Sequence, residues 1–421
     1  MTGLGPAADG GMAAGIVVVG GGFAGFWAAV AARRVLAGRQ TPITLISRDS
    51  VLQMRPRLYE AEPETLGVDL RPLLGVVDVA LLEGEATELD PSTGTVGLRS
   101  GQVVAYERLV VATGSQMRRP PIPGAENAWS IDSQVEAAAF DRRLAEIGSR
   151  GLGPTDSSPT IAGPTIAGPT IAVVGAGFTG IELALELRDR LARHGGEALA
   201  AQARIILFDR QSVVGAELGP GPRAQIEAAL VAAGVELHLG VTITALAPDH
   251  VTLADDPAIS SVTSSVVYVD AVVLSTGLAA APFAAALPGE RDPLGRLIVD
   301  RSLRLPSAPQ VLVAGDTAAV DTGDGHRALQ SCQHALVMGR YAGENAARDL
   351  LGQPLLAYTQ SRYVTCLDLG RSGAVLTEGW DRVVVKSGPE AKAVKQRINQ
   401  AVIYPPAAPT TEELLALSVI G

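Results

Sequence analysis

The stretch Ile16-Val17-Val18-Val19-Gly20-Gly21-Gly22-Phe23-Ala24-Gly25 decides the fold. Four apolar residues without alternation read as a strand buried on both faces, as in a parallel sheet. The glycines after them have the spacing G-x-G-x-x-G, and an apolar helical pattern over residues 26–36 follows at once. The first glycine permits a tight turn, the second lets a pyrophosphate approach the backbone, and the third lets helix and strand pack closely. Free N–H groups and the dipole at the helix start then attract an anion. The pattern returns at Ile171-Ala172-Val173-Val174-Gly175-Ala176-Gly177-Phe178-Thr179-Gly180, which is 175 − 20 = 155 residues further on, before a helical pattern over 181–193. One such cluster alone is a weak signal that a plain tight turn can also give; two in this context predict two dinucleotide-binding units.

Outward from these turns, unbroken apolar runs at 43–46, 109–111, 205–208, 271–274 and 311–314 supply further parallel strands, so the fold class is α/β with two Rossmann-like units. The alternating stretch 235–241 and the run 266–269 are expected to add antiparallel pieces. Pro-Thr-Ile-Ala-Gly runs at 159–163 and 164–168 precede a third start at Pro169, and they read as slipped copies in a loose linker.

With 421 residues, 47% hydrophobic and 19% charged, the chain has material for several packed domains and is not disordered. A net charge of −10 argues against nucleic acid or an anionic membrane as main partner. Two cysteines fit a reducing compartment. Residues 1–15 carry no basic residue, unlike a signal peptide, and no apolar run reaches the length of a membrane span, so the expected location is cytoplasmic.

An acid after the second strand of such a unit binds the adenosine ribose. In the second unit this is Asp209, 209 − 180 = 29 residues past the last glycine, the extra length lying in 194–203. A carboxylate there accepts from a 2′-hydroxyl and repels a 2′-phosphate, which favours NADH over NADPH; the neighbouring Arg210 keeps NADPH open. In the first unit the position is Ser47, 47 − 25 = 22 residues on, followed by Arg48; Asp49 is the alternative carboxylate.

The whole chain resembles the two-dinucleotide-binding-domain flavoproteins, the pyridine nucleotide-disulfide oxidoreductase-like family, and most closely the type II NADH dehydrogenases. The segments that carry the resemblance stand in the family's order. Leu109-Val110-Val111-Ala112-Thr113-Gly114 and Val273-Leu274-Ser275-Thr276-Gly277 are similar to the returns from the FAD and NADH domains. Val311-Leu312-Val313-Ala314-Gly315-Asp316 is similar to the late FAD motif, whose aspartate holds the ribityl end. Met54-Arg55-Pro56 through Glu60 is similar to the loop beside the isoalloxazine, and Glu85-Ala86-Thr87 to the adenine contact. The resemblance implies FAD on Gly20, Gly22, Gly25, Ser47, Arg48, Pro56, Ala86, Thr113, Gly114, Gly315 and Asp316. It implies NADH on Gly175, Gly177, Gly180, Asp209 and Gly277, with Glu182 beside the nicotinamide. A helix cap for Asp316 and a dipole partner for Glu182 are the plainer readings. The implied domains are 14–118 with 295–347 for FAD, a linker at 119–168, 169–294 for NAD(P)H inserted into the FAD domain, and a small C-terminal α+β region at 348–421 for an acceptor or an interface.

Relatives with a thiol relay carry paired cysteines near the flavin. Cys332 and Cys366 are 366 − 332 = 34 residues apart, so they read as two apolar thiols instead. Residues 331–339 resemble the helix over the flavin ring, which presents two glutamines one turn apart to a quinone. Gln333 is present, but Val337 takes the second place, and His334 is either a proton donor to the acceptor or a structural histidine. The type II enzymes rest on membranes through an aromatic and basic C-terminal pair. Here Tyr404 is the sole aromatic of 383–404, and 411–420 reads as a short packing helix suited to a homodimer interface. The expectation is an FAD-dependent NAD(P)H:acceptor oxidoreductase, soluble, with no metal and no membrane anchor, whose acceptor is a small molecule of the quinone-like kind or another. A flavin monooxygenase or oxidase, and a NADH-binding redox sensor or scaffold, are the alternatives.

Overall fold

A computed structural model describes residues 14–150, 168–254 and 265–420; the repeats over 159–167 lie outside the described residues. Six strands form the first sheet, in the order Arg304–Leu305, Ala308–Val313, Arg108–Val111, Ile16–Val19, Ile43–Ser47, Ala80–Glu83. All pairs are parallel except the edge pair made by Arg304–Leu305. Ile16 to Val19 are buried on both faces, as their unbroken apolar run requires. One face is covered by helices Phe23–Val35 and Cys332–Leu350, which pack almost backbone to backbone. A Cβ on Gly343 would lie 2.6 Å from the Ala28 Cα, and one on Gly339 2.8 Å from the Ala24 Cα. Small residues thus do the packing that aromatic residues do elsewhere.

The second sheet is fully parallel, in the order Trp129–Ser130, Ala271–Leu274, Thr170–Val174, Arg204–Asp209, Val235–Leu239. Each sheet has an antiparallel three-stranded companion, Ala86–Asp90 to Val103–Ala105 in the first unit and Ile243–Leu246 to Val266–Tyr268 in the second. Because Ala308–Val313 returns to the first sheet after the second is complete, the second unit is an insertion in the first. The two chain crossings pair with each other: Ser115–Met117 runs antiparallel to Leu278–Ala280, directly after Thr113-Gly114 and Thr276-Gly277.

Two expectations need correction. Residues 235–239 form a parallel edge strand of the second sheet, not an antiparallel addition. An edge strand is half covered, so it alternates like an antiparallel one; its Glu236 turns outward to pair with Arg204 at 2.6 Å. Residues 119–150, expected within the linker, hold the strand Trp129–Ser130 and the helix Gln134–Ser149, which packs on Phe178–Gln202. That helix has a Ser133 cap and buries Phe140 and Leu144, signals that the repeats beside it masked. The extra length before Asp209 is helical too: Phe178–Gln202 is bent at Gly196, whose φ of 81° is non-helical.

The C-terminal region is an antiparallel sheet, Val364–Asp368, Ala374–Glu378 and Val383–Ser387, backed by helix Gly388–Arg397. The tail helix Thr411–Leu417, opened by a capping box of Thr410 and Glu413, docks on its own chain. It buries Leu414, and the following Ser418 Oγ accepts from Arg34 Nε at 3.2 Å. Leu414 is thus used within the chain, while Leu417 and Val419 stay about half exposed.

Candidate active site

The first glycine turn lies at the C-terminal end of its sheet. Gly20 has a φ of 116°, a region that only glycine enters freely, and a Cβ on Gly25 would run into the Gly20 carbonyl. Around Gly22, by contrast, a Cβ would meet nothing within 4 Å among the described residues. The turn therefore faces open space at the start of helix Phe23–Val35, where backbone N–H groups attract an anion. Ser47 is buried against Gly21, while Arg48 and Asp49 are exposed. Asp49 Oδ1 accepts the Val51 N–H at 2.9 Å, which turns that oxygen back into its own loop.

Across the sheet, Asp316 Oδ2 accepts from Ser115 Oγ at 2.7 Å, whereas Asp316 Oδ1 is buried with no partner among the described residues. Burial pushes this carboxyl up against the pull of Arg55, whose Nη1 is 4.0 Å away. Arg55 also reaches Ser115 Oγ at 3.1 Å and pairs with Asp132, tying the loop that contains Pro56 to the crossing strand. Thr317 Oγ1 donates to the Gly114 carbonyl at 3.2 Å and lies 3.4 Å from Thr113 Oγ1. Thr113, Gly114, Gly315 and Asp316 are thereby brought together. Ala86 begins the antiparallel companion, opposite Leu98. An orphaned carboxylate oxygen wants a donor, and the hydroxyls of a ribityl chain are donors. Together with the open Gly22 turn, these residues fit FAD.

The second turn repeats the backbone, with a φ of 109° at Gly175 and Gly180 closing onto the Gly175 carbonyl. Asp209 Oδ2 accepts the Ala176 N–H at 2.6 Å, and its Oδ1 accepts the Gln211 N–H at 2.7 Å. The acid thus lies against the glycine turn. Gly277, with a φ of 83°, closes the same end of the sheet.

Glu182, on the first turns of helix Phe178–Gln202, is buried and pairs with Lys395 Nζ at 2.8 Å. The Asp368 N–H donates to the same Glu182 oxygen at 2.9 Å. Tyr59 OH donates to Asp368 Oδ2 at 3.1 Å, and Lys395 Nζ lies 5.5 Å from the Tyr59 ring centroid. Burial pushes the Glu182 carboxyl up against the pull of Lys395. Burial also works against the Lys395 ammonium, but Glu182 and Asp368 outweigh it and raise its pKa. Segments from all three parts of the chain meet here.

Gln333 does not present a free amide. Its Oε1 accepts the Val364 N–H at 3.2 Å and its Nε2 donates to the Val364 carbonyl at 3.4 Å, so it clamps the first C-terminal strand. His334 is fully buried, with Nδ1 2.9 Å from Ser331 Oγ and its ring stacked on Tyr363 at 5.5 Å. Burial lowers its pKa to about 4, so at neutral pH it is an uncharged ring held inside the protein. Lys395, Asp368, Ser115 and Arg55 escaped the sequence reading of the site. Arg55 lies within the quoted loop 54–60 and Ser115 directly follows Thr113-Gly114, but neither carried a role of its own there; Lys395 and Asp368 stand in no motif, and only the fold brings them in.

Two sheets with a glycine turn apiece, an inserted second unit and an orphaned acid over the first define an oxidoreductase that binds FAD and a pyridine nucleotide. Comparison with known proteins agrees. Residues 14–339 match the pyridine nucleotide-disulphide oxidoreductase family. An NADH dehydrogenase-like protein of Mycobacterium tuberculosis is 40% identical over 408 residues, covering 95% of this chain and 97% of that one. The type II NADH:quinone oxidoreductase Ndh of the same organism is 27% identical over 361 residues, covering 79% and 74%. NDH2 of Plasmodium falciparum, solved with NADH, shares the fold with a TM-score of 0.73 at 12% identity, over 96% and 97% of the chains. The chain belongs to the pyridine nucleotide-disulphide oxidoreductase family. Both of its cysteines are free thiols, Cys366 being buried.

Proposed function

We propose that the protein is a soluble, cytoplasmic NADH:acceptor oxidoreductase that reduces a small quinone-type molecule. The observation that carries the reading is the buried Glu182–Lys395 pair, joined through Asp368 to Tyr59. Reduction of a quinone consumes two electrons and two protons, and this network holds a proton at the junction of both dinucleotide units and the C-terminal region. A one-electron protein acceptor needs no such store. Bound FAD supplies the two-electron chemistry between nicotinamide and acceptor. Asp316, Ser115 and the Gly20–Gly25 turn would hold it, the Gly175–Gly180 turn and Asp209 would hold NADH, and Glu182 would keep a proton near the exchange point. The strand clamped by Gln333 places the Asp368 N–H on Glu182 and so orients that carboxylate.

Anaerobic NADH titration followed by an acceptor screen tests this. Flavin absorbance should bleach with NADH faster than with NADPH and return with a short-chain naphthoquinone or benzoquinone. Faster turnover with oxygen or with a one-electron protein acceptor than with any quinone would overturn the acceptor, and no bleaching would overturn the whole reading.

A further inference from the structure

The two glycine turns share a backbone but differ in what stands before them. At the first, nothing among the described residues lies within 4 Å of a Cβ on Gly22. At the second, a Cβ on Gly177 would lie 2.5 Å from Glu217 Oε1. That oxygen accepts the N–H of Phe178, the first residue of helix Phe178–Gln202, at 3.1 Å. Glu217 thus puts a carboxylate where a dinucleotide of the second unit puts its pyrophosphate, since both seek the unpaired N–H groups and the positive end of the same helix.

We propose that Glu217 is an internal competitor of NADH, capping this helix when no dinucleotide is bound and giving way when one arrives. The inference rests on the second turn being the nicotinamide site. Two anions cannot share one N–H, so the pyrophosphate must displace the carboxylate. The geometry allows it. Glu217 is exposed and can rotate away, while its turn stays anchored by buried Leu218 and by the Gly215 N–H on the Ala176 carbonyl at 3.0 Å. The asymmetry follows the use of the two sites: FAD stays bound, whereas NADH must enter and NAD⁺ leave in each turnover. A carboxylate that restores the cap as the product departs favours release.

The test uses the FAD-loaded enzyme and ADP-ribose, which carries the pyrophosphate without the nicotinamide, in isothermal titration. Glu217→Ala should bind it about three- to tenfold more tightly, the scale of a charge interaction at a helix start. Glu217→Gln, which keeps an acceptor without the charge, should fall between. Without ligand, Glu217→Ala should melt below the wild type, and saturating ADP-ribose should close that gap because the ligand then caps the helix in both. Unchanged or weaker binding by Glu217→Ala, or a melting gap that persists at saturation, overturns the proposal. If ADP-ribose binds neither protein while the flavin stays bound, the nicotinamide reading of this turn fails and the proposal goes with it.

Discussion

Replacing Lys395 with methionine should expose the cost of the buried pair. Glu182 and Lys395 side chains are 5% and 7% exposed, and the ammonium is 2.8 Å from the carboxylate. Methionine keeps most of the apolar stem and removes the charge, so Glu182 stays buried opposite no cation. Removing one partner of such a pair costs about 3–5 kcal/mol. Glu182 can avoid part of this by staying protonated, and that ties the cost to pH. Burial already raises its pKa, and loss of Lys395 raises it further. A carboxyl whose folded pKa lies above its unfolded value stabilises the fold below the unfolded pKa, and that stability is lost as pH rises through the folded one. As pH rises from about 5.5 to about 8 the variant should therefore lose stability relative to the wild type, by no more than about 1.36 kcal/mol per unit. Urea titration of the FAD-loaded variant and wild type at both pH values measures it. The deficit should be small at the acid end and widest at the alkaline end, and Glu182→Gln in the Lys395→Met background should recover much of it. An equal deficit at both pH values, or no recovery in the double variant, would refute the account.

Asp316→Ala should cost FAD about 1.5–3 kcal/mol of binding, the range for hydrogen bonds to a charged acceptor, read as flavin retained per protein after dialysis. Asp209→Ala should narrow the preference for NADH over NADPH in flavin bleaching rates; an unchanged ratio would move the ribose contact elsewhere. His334, buried and neutral with a pKa lowered to about 4, contributes stability present above its unfolded pKa of about 6.5 and lost as pH falls through the folded one. Acid unfolding should be shallower in His334→Gln than in the wild type when melting is followed from about pH 7 to about pH 4.

Both glycine turns, the parallel strands around them and the late Gly315-Asp316 step were legible in the chain because they are local. A turn needing a φ near 110°, a strand buried on both faces and a helix that starts at once are written in neighbouring residues. Asp209 was legible for the same reason, as the residue that ends a strand. The sequence could not show what lies opposite these elements. Lys395 meets Glu182 across 395 − 182 = 213 residues, and no spacing announces it. Gln333 looked like a free amide because its helix position is local, but its partner Val364 comes from a separate sheet and takes both of its hydrogen-bonding ends. His334 looked titratable until Tyr363 closed over it and removed the water that charging requires. Glu217 stands in an ordinary exposed turn, and only the folded second unit sets it on the amide of Phe178. Backbone chemistry is decided by neighbours in sequence, whereas the charge and hydration of a side chain are decided by neighbours in space, and those the chain acquires when its distant segments pack.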